Sequence, residues 1–374
     1  MLSTKCFTKS AFQRVLVRFT SPSTVWNEKS RLLSNRLLSC SSTTAGFPPP
    51  VLFDYETIKD NLTVADAISS VEEAFGALAD GKVDVPMPMH IGIEESLFAG
   101  PGDCHIKGGY VYGAKTFTVK LACVSFYKNV TERNLPAGSG VFVVVDAQTG
   151  APLAFFQENR IMTDLRTGAA GAVAVKYTTP DDDSNVIGFI GTGAIARNMA
   201  RAAAAVRPNF TGVAYGLDVQ GAQTFAKEMS AELGLDFTVA SSSEELCKKS
   251  NVIFTQTTGS EHVLKLDYLR KGTTIIASGS DQPTKQELPN NVLKSADKYI
   301  ADLINQTSRV GELRGAIEAN VMTTEDVYAE LGDLVNGSKA GRENDEEIIV
   351  VDLTGTGAQD AAIGQVAWEK LSQL

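Results

Sequence analysis

The sequence predicts an α/β protein in which a Rossmann-type parallel sheet domain is inserted in a discontinuous α+β substrate-binding and dimerisation domain. Three observations carry this. An apolar run at 185–190 leads without a spacer into Gly191-Thr-Gly193-Ala194-Ile195-Ala196 and then into an alanine-rich helix. From 185 to about 302 strand-like and helix-like patterns alternate, which implies right-handed crossovers and a parallel sheet. Between about 103 and 162 the pattern is instead one of β-branched and aromatic runs joined by turns, the pattern of an antiparallel sheet.

Residues 1–46 carry seven of the 34 basic residues and one of the 44 acidic ones, with many Ser and Thr. This is the composition of a transit peptide, so the mitochondrial matrix is the expected location, with plastid or cytoplasm as alternatives. Without that segment the net charge falls from −10 to −16, which makes nucleic acid a poor partner. At 374 residues the chain exceeds the reach of one growing core. No run approaches the ~18 apolar residues of a membrane span. The three histidines and five cysteines form no zinc or disulfide pattern, so no metal is expected.

Phe47-Pro-Pro-Pro50 reads as a linker. Thr63 then caps a helix whose Ala67, Ile68, Val71, Ala74, Phe75 and Leu78 recur at three and four, and Gly81 ends it. Strands follow at 117–121, 141–145 and 153–156, with Gln148-Thr-Gly150 turning between the last two. A helix covers 164–177, and Pro180-Asp-Asp-Asp-Ser184 marks a border. Strands near 186–190, 212–216, 252–255, 273–277 and 299–301 make the parallel sheet. Helices are expected near 304–318 and 323–336. The strand at 347–353 and the final helix break the alternation, so both are expected to return to the first domain. The domains are then 47–180 plus 320–374, and 181–319.

In the glycine turn, Gly191 permits the sharp bend, Gly193 lacks the Cβ that would block a pyrophosphate, and Ala196 takes the helix-packing place. The free N–H groups at Ala194 and Ile195 would face the phosphates. Asp218, 22 positions past Ala196, stands about where an acidic residue holds the ribose of NAD; NADP stays open. Thr257 and Ser278 follow the strands at 252–255 and 273–277, where ligands of open α/β sheets bind. Asp281 comes next, as a general acid or base or as a helix cap. Lys120 is the sole charge in Phe117-Thr-Val-Lys-Leu-Ala-Cys-Val124, which implies a substrate carboxylate or a buried ion-pair partner, unless that face of the sheet is solvated. Arg166 opens a small-residue helix, and its planar fork suits a carboxylate or phosphate; a capping role is the alternative. Lys107 is a third cation among apolar neighbours.

Lys120, Thr163-Asp-Leu-Arg166-Thr-Gly, Gly188-Phe-Ile-Gly191-Thr-Gly193-Ala and Gly279-Ser-Asp281-Gln-Pro-Thr-Lys285-Gln-Glu287-Leu288, in this order, resemble the ornithine cyclodeaminase/µ-crystallin family from about residue 50 onward. The resemblance implies an NAD(P)-dependent enzyme oxidising an amino acid at Cα or reducing an imine. Ornithine cyclodeamination to proline is the first expectation; a ketimine or imino-acid reductase and a non-catalytic binding protein are the alternatives. By position, Asp281 becomes the acid/base, Lys120 and Arg166 hold the substrate carboxylate, and Thr257 and Gly355 line the cofactor. The resemblance also implies a homodimer through the antiparallel sheet. Where the family often has an arginine, this chain has His90, a neutral group, so Lys107 would have to supply the charge.

Overall fold

The computed structural model describes residues 46–96, 100–180 and 185–374, and the expected transit peptide lies outside them but for its last residue. Pro48–Leu374 is one compact unit carrying two sheets.

The first sheet begins with β1 (Val51–Phe53), α1 (Tyr55–Asn61) and α2 (Val64–Ala79). Thr63 caps α2 as expected: its Oγ1 accepts from the Asp66 N–H at 3.2 Å, and the Asp66 carboxylate accepts from the Thr63 N–H at 2.9 Å. Ala67, Val71, Ala74 and Phe75 are buried along one face. Strands β2 (Val83–Asp84), β3 (Met89–Ile93), β4 (Gly102–Val111), β5 (Thr116–Val124), β6 (Ser139–Asp146) and β7 (Pro152–Gln157) follow. Their order is β1-β7-β6-β5-β4-β2, with β3 also paired to β4; every pairing is antiparallel except β1 with β7. Gly150 adopts φ +73° in the predicted turn between β6 and β7.

Helix α3 (Ile161–Thr178) joins this sheet to the second. Its glycines are there for close approach: a Cβ on Gly168 or Gly171 would overlap Asn198 or Met199 of the neighbouring helix α4 (Ala194–Val206). Alternation then runs through β8 (Val186–Ile190), α4, β9 (Thr211–Tyr215), α5 (Val219–Leu233), β10 (Phe237–Val239), α6 (Ser243–Lys249), β11 (Val252–Thr255), β12 (Thr274–Ala277), α7 (Asn290–Ser295) and β13 (Lys298–Ala301). Phe189 on β8 anchors an aromatic core, with Phe210, Phe225, Phe237 and Phe254 at centroid distances of 5.4–6.5 Å.

Beyond β13 the expectations need correction. The helix predicted over 304–318 is two helices, α8 (Ile304–Val310) and α9 (Glu312–Glu318), divided at Gly311. The region 323–336 holds a strand, β14 (Ala329–Glu330), and only a short helix, α10 (Leu331–Val335). Most consequentially, β15 (Ile349–Asp352) does not return to the antiparallel sheet. It lies inside the parallel one, whose order is β10-β9-β8-β11-β12-β15-β13-β14. The reason is in the sequence: Ile349, Val350 and Val351 are apolar without alternation and fully buried, as a strand covered on both faces must be. Of these last two elements only the helix, α11 (Gly357–Leu371), crosses back, to lie on β4 and β5. It lies so close that a Cβ on Gly357 would overlap the Gly108 backbone and one on Gly364 would meet Thr118.

Candidate active site

The alternation of β4 and β5 turns Lys107 and Lys120 to the same buried face, where they are direct partners across the ladder. Like charges opposite each other in a dry sheet are unfavourable unless an anion intervenes. Asp360, on the first turn of α11, supplies it. Lys120 Nζ donates to Asp360 Oδ1 at 2.8 Å, and Arg166 Nε of α3 lies 3.1 Å from the same oxygen. Burial alone would raise the Asp360 carboxyl, but Lys120 and Arg166 reverse that and hold it low; burial and the neighbouring Arg166 push Lys120 down to about 7. The partner expected for Lys120 is thus a residue 240 positions away. Among the described residues Lys107 meets no carboxylate: its Nζ donates to the backbone oxygens of Thr354 at 3.2 Å and Gly355 at 2.7 Å. Gly355, at φ +75°, is required because a Cβ there would overlap the Arg166 guanidinium.

These cations line a cavity of about 540 Å³ whose opposite wall comes from the carboxyl ends of the parallel strands: Gly193, Ala194, Ile195, Thr257, Ser278 and Asp281. The volume is that of a small-molecule site. Lys285 lies 3.0 Å from Asp281. Burial tends to raise Asp281, yet Lys285, followed by Lys107, overcomes it and holds the carboxyl below its usual range. His105, also in the wall, is pushed down to about 4, chiefly by burial, so its imidazole is neutral at pH 7.

The loops carrying these groups are tied from beneath. The fully buried Glu287 accepts from Thr257 N at 2.6 Å, Gly279 N at 3.0 Å and Thr255 Oγ1 at 2.7 Å. Asp302 accepts from Thr354 N at 2.7 Å and Gly355 N at 2.8 Å. One carboxylate therefore fixes the loops after β11 and β12, and another fixes the segment leading into α11.

Does a dinucleotide fit here? Gly191 adopts φ +93°, with the Gln256 carbonyl against it. A Cβ on Gly193 would meet nothing within 4 Å, and α4 begins with no side-chain cap, so its first N–H groups face open space. Two buried polar atoms of the wall, Thr257 Oγ1 and Gln256 Oε1, have no hydrogen-bond partner among the described residues. Asp218 follows β9 and stands at the start of α5, exposed, outside the cavity, between Leu217 (95% exposed) and Val219 (61%). Gly191 N donates to Tyr215 O at 2.9 Å, so that loop adjoins the glycine turn. A ribose beside Asp218 and an adenine on the bare apolar pair fit this surface, and no basic residue stands between Gly216 and Val219 to receive a 2′-phosphate.

His90, which stands where the resemblance would place a substrate-binding group, does not line the cavity. It lies on the exposed strand β3, within 2.9 Å of Asp103, and contacts the cavity wall only by packing edge-on against His105 at 5.1 Å. The two imidazoles face each other across β3 and β4, and His105 is the inner one. The sequence reading missed Asp360, His105, Glu287, Asp302 and Gln359, whose Oε1 accepts from Arg166 Nη1 at 3.3 Å. An Asp within Gly357-Ala-Gln-Asp360-Ala-Ala, a run of small residues, was the available signal for the first.

The description of the ornithine cyclodeaminase/mu-crystallin family matches residues 50–373. An uncharacterised cyclodeaminase of Sinorhizobium fredii is 32% identical over 309 residues, 82% of this chain and 91% of its own. The Δ1-pyrroline-2-carboxylate reductase of Thermococcus litoralis, solved with NADH and L-proline, superposes with a TM-score of 0.79 at 30% identity over 86% of this chain and 98% of its own. An archaeal alanine dehydrogenase, a dimer solved with NAD, also gives 0.79 at 30% identity over 87% and 96%. Matched almost end to end in sequence and in fold, with the cations, the glycine turn and the aspartate converging on one cavity, the chain belongs to the ornithine cyclodeaminase/mu-crystallin family.

Proposed function

We propose that the protein is an NAD-dependent oxidoreductase acting at the Cα–N bond of a small α-amino or α-imino acid, with imine reduction the favoured direction. The observation that carries this is the convergence of Asp281 with Lys107, Lys120 and Arg166 across the cavity from the Gly193 turn. The nicotinamide supplies or removes the hydride. In reduction, one imine, one hydride and one proton give one amine. Lys107, which has no anion partner among the described residues, and the outer edge of Arg166 bind the α-carboxylate and set Cα against the ring. In reduction the imine enters as its protonated iminium, whose N–H donates to ionised, half-buried Asp281; in the reverse direction Asp281 accepts the proton from the amine, and neutral His105 beside it adds no competing charge. Relatives acting on an amino acid and on a cyclic imine, both with the same cofactor, support the reading.

The test is turnover of Δ1-pyrroline-2-carboxylate with NADH, and of ornithine and alanine with NAD, followed at the nicotinamide absorbance. Asp281→Asn is expected to lower kcat about a hundredfold or more while NAD binding stays within about twofold. Unchanged turnover in that variant would remove Asp281 from the reaction.

The outer face of the first sheet shows half-buried Ile106, Val119, Leu121, Val141, Val143 and Phe155 in neighbouring places. A second copy of the chain on this face is the proposed homodimer. The basic, acid-poor residues 1–46 support import into the mitochondrial matrix, to be tested with a fluorescent fusion of that segment.

A further inference from the structure

The wall of the cavity remote from the glycine turn has an unusual backbone. Ser125, Asn159 and Arg160 line it at φ +66°, +44° and +76°. Left-handed backbone is strained for a residue as large as arginine, and such strain persists where the surroundings hold it in place. Arg160 stands at the N-cap of α3 yet makes no capping bond there, so helix initiation does not explain the guanidinium. Gly138 opposite leaves room for it, since a Cβ at that position would lie 3.0 Å from the Arg160 Cδ.

The charges on this wall are unequal in a specific way. Arg160 Nη2 donates to Asp164 Oδ1 at 3.0 Å, which orients the fork and leaves Nε and Nη1 uncommitted among the described residues. Each carboxylate of the wall already has a cation beside it: Asp164 has Arg160, Asp281 has Lys285, and Asp360 behind it has Lys120 and Arg166, both on its Oδ1. A substrate side chain ending in an ammonium would find no spare anion and would meet Arg160. A side chain ending in a carboxylate would find the guanidinium N–H groups that Asp164 leaves open, beside the Ser125 hydroxyl and the Asn159 amide.

We propose that Ser125, Asn159 and Arg160 form a subsite for a second carboxylate, so that the substrate is a short dicarboxylic α-imino or α-amino acid. The proposal rests on the oxidoreductase reading for its chemistry, but the subsite is a binding claim and can be tested apart from turnover. Arg160 is here a specificity-determining residue: the α-carboxylate goes to Lys107 and Arg166, and the distal one to Arg160, with the reacting carbon held between them.

The experiment compares the full chain with Arg160→Gln. The first measurement is kcat/KM for L-aspartate, L-alanine and L-ornithine with NAD, and for the imine formed from oxaloacetate and ammonia with NADH. The dicarboxylic substrates are expected to exceed alanine and ornithine by about tenfold or more, and Arg160→Gln to cost them about a hundredfold while alanine changes less than about threefold. The second is the thermal shift given by succinate, a non-reacting dicarboxylate, to the NAD-loaded protein, present in the wild type and absent in the variant. Equal effects of the substitution on alanine and aspartate, preference for ornithine, or a succinate shift that survives in Arg160→Gln would each overturn the subsite. A succinate shift dependent on Arg160 with no turnover of any substrate would uphold the subsite and overturn the oxidoreductase reading.

Discussion

Buried charge is what distinguishes this molecule residue by residue. Lys120, Asp360 and Arg166 form an ion triad in a dry interior, an arrangement that contributes little net stability but is costly to break. Its value is positional, since it fixes one anion where two cations would otherwise repel. A second buried group, Asp352 at the end of β15, makes the opposite choice. Burial pushes its carboxyl up to about 7, with Asp302 nearby adding to the rise, and Tyr299 Oη donates to it at 2.6 Å. Between the ordinary value of 3.8 and about 7 the folded protein therefore holds a proton that the unfolded chain has released. The stability contributed by this group is complete below 3.8 and is lost as pH rises to about 7. Asp352→Asn mimics the protonated form, so thermal denaturation should show a smaller fall in Tm over that interval than the wild type. An unchanged slope would mean that Asp352 is ionised throughout.

At the scale of elements, the strand–turn–helix of β8 and α4 separates two kinds of glycine. Gly191 is held at positive φ against a carbonyl, whereas Gly193 faces open space. Gly193→Ala should accordingly leave the urea midpoint unchanged and weaken NAD binding about tenfold or more, by placing a methyl where the phosphates approach. A loss of stability with unaltered NAD affinity would reverse the assignment. This turn was legible in the sequence because its chemistry is local. Lys120, Arg166 and Asp281 were legible as exceptions: a charge in an apolar strand, an arginine heading a helix of small residues, and an acid just past a strand end. Strand β4 was not, because Gly102-Asp-Cys-His-Ile-Lys107-Gly-Gly offers Ile106 as its one β-branched residue, with His105 and Lys107 facing the cavity and Gly109 admitting α11. Asp360 and Arg160 were missed for a related reason. Their meaning depends on partners brought by the fold, or on a backbone angle no local pattern reports.

For the whole molecule, one sheet is covered on both faces and the other on one. The outer face of the antiparallel sheet is apolar and only half-buried among the described residues at Val119, Leu121 and Val143. Val143→Arg should convert the proposed dimer to monomer in sedimentation velocity while leaving NAD binding intact; a dimer of undiminished affinity would place the interface elsewhere. Fold class was readable from alternation, but the route of the chain at 347–353 was not, because an apolar strand does not announce which sheet receives it.

That route bears on how the protein comes to be made. β15 occupies an interior slot between β12 and β13, yet it is the last strand of the chain. A nascent chain halted before it would present two raw sheet edges facing a gap, with the β13–β14 pair having nothing to zip onto. Closure of the nucleotide half must therefore await the final few dozen residues off the ribosome, and the same tract then delivers α11 and Asp360 to the lysines of the other half. Maturation of the sheet and neutralisation of the paired lysines are thus one late event.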